Sequence, residues 1–257
     1  MKEWSVLVAP LARAARQAGK AILEIYAEPF EVRAKTDSSP VTRADEVAET
    51  ILLAALTDLT PEIPVVAEEQ VAARGAPAAA AHRFWLVDPL DGTKEFIARN
   101  GEFTVNIALV EGGRVILGIV HVPILDMTYT GAGLGTATRC LAAEPPLPIT
   151  ARLTPSIAPI VTHSRSHADE TRLAAYLQGL ANAKRLVSGS SVKFCLLASG
   201  EADLYPRFGP TMEWDTGAGQ AVLEAAGGCV LTSDGVALDY GKPGFRNPEF
   251  IAYGKRA

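Results

Sequence analysis

Phe84-Trp-Leu-Val-Asp-Pro-Leu-Asp-Gly-Thr93 is a short apolar run that ends on a turn carrying two carboxylates. Phe84 to Val87 leave no polar face, so they are expected to form a buried strand that delivers Asp88 to a sheet edge. Pro89 fixes one φ and Gly92 permits close backbone approach. Asp88 and Asp91 can therefore both turn toward one point, where the Leu90 carbonyl can join them. A helix beginning at Thr93 would leave the N–H groups of Gly92, Thr93 and Lys94 without intrahelical acceptors, an anion site beside that point.

Upstream of this stretch, Val6 to Tyr26 and Ala44 to Leu59 carry apolar residues at helical spacing, with Pro29 and Pro61 just beyond their ends. The polar loop Lys35-Thr-Asp-Ser-Ser-Pro40 lies between them, and the Ala-rich Ala76 to Ala81 reads as an exposed loop or short surface helix. Downstream, Thr104 to Val110, Arg114 to His121 and Met127 to Thr130 read as an antiparallel meander turning at Glu111-Gly-Gly113. After the Pro-rich Glu144 to Pro148 the rhythm changes to short strands at Pro159–Thr162, Arg185–Val187 and Asp203–Tyr205. These alternate with helices at Asp169–Leu180, Val192–Ser199 and Trp214–Ala226, and a strand Cys229–Thr232 follows. The pattern predicts two halves, 1–143 and 144–257, and a mixed α+β and α/β architecture.

With 257 residues and 48% hydrophobic content the chain can bury a substantial core. Its 24 Lys and Arg against 29 Asp and Glu give a net charge of -5, which excludes a global basic field for nucleic acid polymers. Any anionic substrate must meet a local basic pocket. Cys140, Cys195 and Cys229 form no C-x-x-C pair, which fits a reducing compartment. With no signal-like N-terminus and no long uncharged apolar stretch, the expected location is cytoplasmic, free or at the inner face of the cell membrane.

Glu68, Asp88, Asp91 and Asp215 each flank an apolar run at a structural break. Carboxylates gathered at such positions repel one another unless a cation neutralises them, and hard oxygen ligands point to magnesium. Taken singly, each has a more ordinary reading. Asp91 can cap a helix in an Asx-type turn, Glu68-Glu69 can be a charged surface turn, and Asp215 can cap the helix it begins. His163 and His167 stand four apart but have no acidic third ligand nearby, so they are assigned no metal.

Three separated segments shift that balance: Ala67-Glu-Glu69, Trp85-Leu-Val-Asp-Pro-Leu-Asp-Gly-Thr93 and Trp214-Asp-Thr-Gly-Ala-Gly219. In wording and order they resemble the inositol monophosphatase superfamily, from about Ala9 to the C-terminus and most weakly between Gly131 and Pro155. Within it, Asp91-Gly-Thr-Lys-Glu-Phe96, Asn100-Gly-Glu-Phe-Thr-Val-Asn106, Ser164-Arg-Ser-His167, Gly189-Ser-Ser-Val-Lys-Phe-Cys195 and Leu204-Tyr-Pro-Arg-Phe-Gly-Pro210 look like the CysQ branch. Departures at Met212-Glu213 and Gly217 leave the substrate range more open than the chemistry.

The resemblance implies a layered α-β-α-β-α fold with the active site between the two halves, and hydrolysis of adenosine 3′,5′-bisphosphate, or its 5′-phosphosulfate relative, to a nucleotide and phosphate. It implies that Glu68, Asp88, Asp91, Asp215 and the Leu90 carbonyl hold two or three Mg2+ ions, with lithium inhibition expected. It makes Thr93, oriented by Asp45 and assisted by Glu68, the activator of water. Glu68, Asp91, Gly92, Thr93, Lys94 and Asp215 would surround the scissile phosphate. Lys193 and Arg207 become candidates for the second phosphate, and Ser190, Ser191 and His167 for the nucleotide pocket, while Lys35 is read as reaching the cluster. Inositol monophosphate or fructose 1,6-bisphosphate could use the same core, and a non-catalytic sensor could keep the fold. A monomer and a homodimer are both compatible with the sequence.

Overall fold

The computed structural model describes residues 3–34, 40–166 and 169–256. A 3-10 turn at Glu3–Leu7 leads into α1 (Val8–Tyr26), whose Leu11, Ala14, Ala15, Ala18 and Ile22 form the buried stripe. A two-stranded ribbon of β1 (Val32–Ala34) and β2 (Pro40–Thr42) precedes α2 (Arg43–Leu59). The start of α2 is a capping box. Thr42 Oγ1 accepts from the Ala44 N–H at 3.1 Å, and Asp45 Oδ2 accepts from the Thr42 N–H at 2.8 Å.

β3 (Val65–Ala67) and α3 (Glu68–Arg74) lead through the exposed Ala-rich loop to β4 (Arg83–Asp91) and the single turn α4 (Thr93–Ile97). The meander follows as β5 (Thr104–Glu111), β6 (Arg114–Val122), β7 (Met127–Gly131), β8 (Thr138–Leu141) and β9 (Leu147–Pro148). These strands make a seven-stranded sheet in chain order from β3 to β9, antiparallel except for β3 on β4. The sheet therefore runs to Pro148, past the division expected at 143/144.

β4 explains why its apolar run is unbroken. Phe84 and Leu86 face one core while Trp85 and Val87 face the other, so both faces of the strand are covered. It also corrects an expectation. The strand does not stop at Val87. It continues through Pro89 to Asp91, pairing Asp88 with Asn106 and Asp91 with Thr104. Two residues, Pro89 and Leu90, thus oppose Val105 alone, a bulge that accommodates a proline with no N–H to donate.

The rest of the chain builds β10 (Ile160–His163), α5 (Glu170–Gln178), β11 (Lys184–Val187), α6 (Val192–Ala198), β12 (Leu204–Arg207), α7 (Glu213–Ala225), β13 (Cys229–Thr232) and β14 (Phe250–Tyr253). The second sheet has the order β11-β10-β12-β14-β13. From outside to outside the layers are α1 and α2, the seven-stranded sheet, α6 and α7, the five-stranded sheet, and α5. This is the expected α-β-α-β-α order.

The middle helix layer decides how close the two sheets come. A Cβ built on Gly118 of β6 would lie 2.3 Å from the Ala218 carbonyl oxygen, and one on Gly131 of β7 would lie 2.7 Å from the Ala225 Cβ. Glycine at these places lets α7 lie directly on the sheet backbone, which fixes the height of Asp215 above β4.

Candidate active site

The C-terminal end of β4, the N-termini of α3, α4 and α7, and the turn before α6 meet around a cleft of about 1000 Å³. Glu68, Asp88, Leu90, Asp91, Gly92, Thr93, Lys94, Ser190, Lys193, Arg207 and Asp215 all line it. Glu68, Asp88 and Asp215 come from three elements far apart in the chain, yet each offers a carboxylate oxygen within 4.8 Å of the others.

Asp88 and Asp215 are each steered by a local bond. Asp88 Oδ1 accepts from the Leu90 N–H at 3.0 Å across the bulge, and Asp215 Oδ2 accepts from the Met212 N–H at 2.8 Å at the start of α7. The expected cap role of Asp215 and its place in the cluster thus coexist. Asp91 does not cap α4, where Gly92, with φ 97°, is the N-cap residue. Instead Asp91 Oδ2 accepts from the Ser191 hydroxyl at 2.9 Å.

Burial, then the charges of Asp91 and Glu68, push the Asp215 carboxyl well above the ordinary carboxylate range. Asp91 is raised as well, chiefly by burial, with Lys193 and the Ser191 hydroxyl pulling the other way. Such crowding fits a hard divalent cation, because three convergent carboxylate oxygens beside a backbone carbonyl form an oxygen-only donor set. Glu68, Asp88, Asp215 and the Leu90 carbonyl are the groups that would hold it, with Asp91 alongside.

Next to the cluster, Asp45 accepts from the Thr93 hydroxyl through Oδ1 at 3.2 Å, while its Oδ2 is held by the N–H and hydroxyl of Thr42 at 2.8 Å each. The capping box of α2 therefore doubles as the support of Thr93. The Phe96 N–H bonds the Gly92 carbonyl at 2.8 Å, so the Gly92 and Thr93 N–H groups precede the first intrahelical bond and stand at the cleft.

The profile of the inositol monophosphatase family matches residues 3–252. The chain belongs to this family. It is 49% identical over 242 residues to the 3′(2′),5′-bisphosphate nucleotidase CysQ of Salmonella typhimurium, covering 92% of this chain and 95% of that protein. It is 32% identical to the CysQ of Haemophilus influenzae, over 95% and 91% of the two chains. Among solved structures, CysQ from Bacteroides thetaiotaomicron superposes with a TM-score of 0.82 at 36% identity over 99% of both chains. An inositol monophosphatase from Thermotoga maritima shares the fold, with a TM-score of 0.75 at 22% identity over 94% and 89% of the chains.

Within the inositol monophosphatase framework, one expected pocket residue is displaced. Ser191 lies beneath the cleft, 1% exposed, and bonds Asp91, the Asp215 carbonyl oxygen at 2.7 Å and the Asn106 side-chain amide at 3.0 Å. It supports the floor and is not placed to touch a nucleotide. Ser190 does line the cleft, with φ 44° and a buried Oγ that has no hydrogen-bond partner. Lys193 and Arg207 are buried in the wall. Lys193 Nζ donates to the Ser188 and Ser190 carbonyls, and burial lowers its pKa to about 8. Arg207 donates to the Gly209 and Pro210 carbonyls. Lys35 and His167 lie outside the described residues. His163 is buried and engaged by Ser164 and Arg185.

Sequence reading missed Asn106 and Glu213 as parts of this region. Asn106 was visible only as the end of a motif, and Glu213 only as a departure from the resemblance. No helix among the described residues is long and apolar enough to cross a membrane.

Proposed function

We propose that this protein is a magnesium-dependent phosphomonoesterase that removes the 3′-phosphate of adenosine 3′,5′-bisphosphate, leaving AMP, and acts on the corresponding 5′-phosphosulfate. The observation that carries the reading is the convergence of Glu68, Asp88 and Asp215 beside the Thr93–Asp45 pair, in a cleft with room for a nucleotide. The CysQ names of relatives up to 49% identical support the choice of substrate.

Two or three Mg2+ ions held by these carboxylates would neutralise the phosphate oxygens and acidify water. The chain's own residues do the remainder. Thr93 donates to Asp45, which leaves its oxygen lone pairs available to accept from a water. As the water oxygen bonds to phosphorus and the P–O3′ bond breaks, the water proton passes to Thr93 Oγ1 and the threonine proton to Asp45 Oδ1, with Glu68 assisting. The leaving 3′-oxygen takes a proton from solvent. The N–H groups of Gly92 and Thr93 and the Lys94 side chain, which line the cleft, would bind the scissile phosphate, and Lys193 and Arg207 add positive charge to the wall.

Phosphate release from adenosine 3′,5′-bisphosphate, inositol 1-phosphate and fructose 1,6-bisphosphate, each with magnesium, tests this reading. The bisphosphate nucleotide is expected to have the highest kcat/KM, with lithium inhibiting. Preference for inositol phosphate or fructose bisphosphate would reassign the substrate. Nucleotide binding without phosphate release under any divalent cation would make the protein a sensor.

A further inference from the structure

The cleft has a rim built by the segment between Tyr240 and Asn247, and this segment is braced far more heavily than an ordinary surface loop. At one end the fully buried Glu213 carboxylate accepts from the Gly241 N–H at 2.7 Å and the Lys242 N–H at 2.9 Å, and pairs with Lys242 Nζ at 2.8 Å. At the other end the Asn247 amide donates to the Met212 carbonyl at 2.8 Å and to Thr216 Oγ1 at 2.9 Å. Phe245 is buried between Phe84 and Trp214, with ring centroids 5.9 and 6.3 Å away. Its φ of 55° is one that bulky side chains rarely adopt and that the surrounding contacts must hold.

These braces present one side chain. Arg246 stands between buried Phe245 and buried Asn247, its backbone bridged to Met212, while its own side chain is exposed and lines the cleft. Among the described residues its guanidinium has no hydrogen bond, ion pair or ring contact. Two of the other cleft cations differ. Lys193 and Arg207 are buried, donate to carbonyls of their own loops, and act as countercharges to Asp91 and Asp215. Their donors are engaged within the cleft wall.

We propose that Arg246 is the specificity-determining residue that binds the phosphate or phosphosulfate the substrate keeps, a role that rests on the proposed nucleotidase activity. A planar guanidinium with all its donors uncommitted can take two oxygens of such a group at once, and in a chain of net charge -5 a locally held cation is the means of attracting it. The assignment puts a second-phosphate contact on the rim of the cleft, where the resemblance offered Lys193 and Arg207 in its wall.

Deleting the retained phosphate from the substrate isolates this contact. Wild type, Arg246→Ala and Arg246→Lys are assayed with magnesium on adenosine 3′,5′-bisphosphate and on adenosine 3′-monophosphate, which lacks the 5′ group. Arg246→Ala is expected to raise KM for the bisphosphate about tenfold or more, with kcat and all parameters for the monophosphate nearly unchanged, and Arg246→Lys to recover part of the loss. An equal loss on both substrates, or none on either, overturns the assignment of Arg246 while leaving the nucleotidase reading standing. A wild-type protein that releases no phosphate from the bisphosphate overturns that reading, and the assignment with it.

Discussion

The Ser191 hydroxyl lies 2.9 Å from Asp91 Oδ2 although the two residues are 100 positions apart. The same oxygen is 2.7 Å from the Asp215 carbonyl and accepts from the Asn106 amide at 3.0 Å. One buried serine thus ties the end of β4, the middle of β5 and the start of α7 together beneath the carboxylates.

Removing that tie should loosen the cation site without unfolding the protein. Ser191→Ala is predicted to weaken Mn2+ affinity about tenfold, in keeping with the loss of a group that orients a ligand, while the circular dichroism spectrum stays unchanged. Electron paramagnetic resonance titration of free Mn2+ measures it. Unaltered affinity would show that Asp91 is positioned by other contacts.

Asp45 tests the proton path separately from binding. In Asp45→Asn an amide can still accept from the Thr42 N–H and cap α2, but it cannot take up the Thr93 proton. The expected outcome is a kcat lower by about 10² to 10⁴ with Mn2+ affinity retained. Steady-state kinetics beside the same titration checks both halves, and a kcat near wild type would remove Asp45 from the mechanism.

Much of this arrangement was legible in the sequence, and the parts that were not have physical reasons. The unbroken Phe84–Val87 run marked a strand covered on both faces, and Glu68, Asp88 and Asp215 do converge. β3, with three residues, is too short for a periodic pattern, and β14 declares itself only by pairing with β12 and β13. The bulge at Pro89-Leu90 was read as a strand end because a proline normally interrupts a ladder. Ser191 was placed in the pocket by the resemblance, and a serine's burial depends on what folds over it. Arg246 drew no notice because its meaning lies in the braces from Glu213 and Asn247, which only the tertiary structure brings together.

The seat of α7 on the sheet predicts a stability effect with a functional echo. Gly118→Ala places a methyl where the Ala218 carbonyl oxygen would be 2.3 Å away, so α7 must shift. Overpacking of this kind costs about 1–3 kcal/mol. In a chain of this length that lowers Tm by roughly 3–10 °C in calorimetry. Because α7 carries Asp215, Mn2+ affinity should fall with it. A Tm within a degree of wild type would contradict the close seating.

His121 predicts how stability depends on pH, away from the carboxylates. It is buried beside Gly19 and Thr128, and burial lowers its pKa from 6.5 to about 4, with Asp126 opposing and Arg16 adding to the shift. The folded protein therefore binds the proton less readily than the unfolded chain. Stability contributed by neutral His121 is complete above pH 6.5 and is lost as pH falls toward 4, by about 3 kcal/mol over that interval. Urea unfolding across this range should show the decline, and His121→Gln should flatten it. An identical slope in the variant would assign the effect elsewhere.

The central claim is that carboxylates from distant parts of the chain converge to hold divalent cations at the phosphate site, and it is tested most directly by anomalous diffraction from crystals soaked in MnCl2. The account predicts peaks within bonding distance of Glu68, Asp88 and Asp215, with the Leu90 carbonyl turned toward one of them. Saturating manganese with no peak among these residues, or a peak held by a different set of ligands, would contradict it.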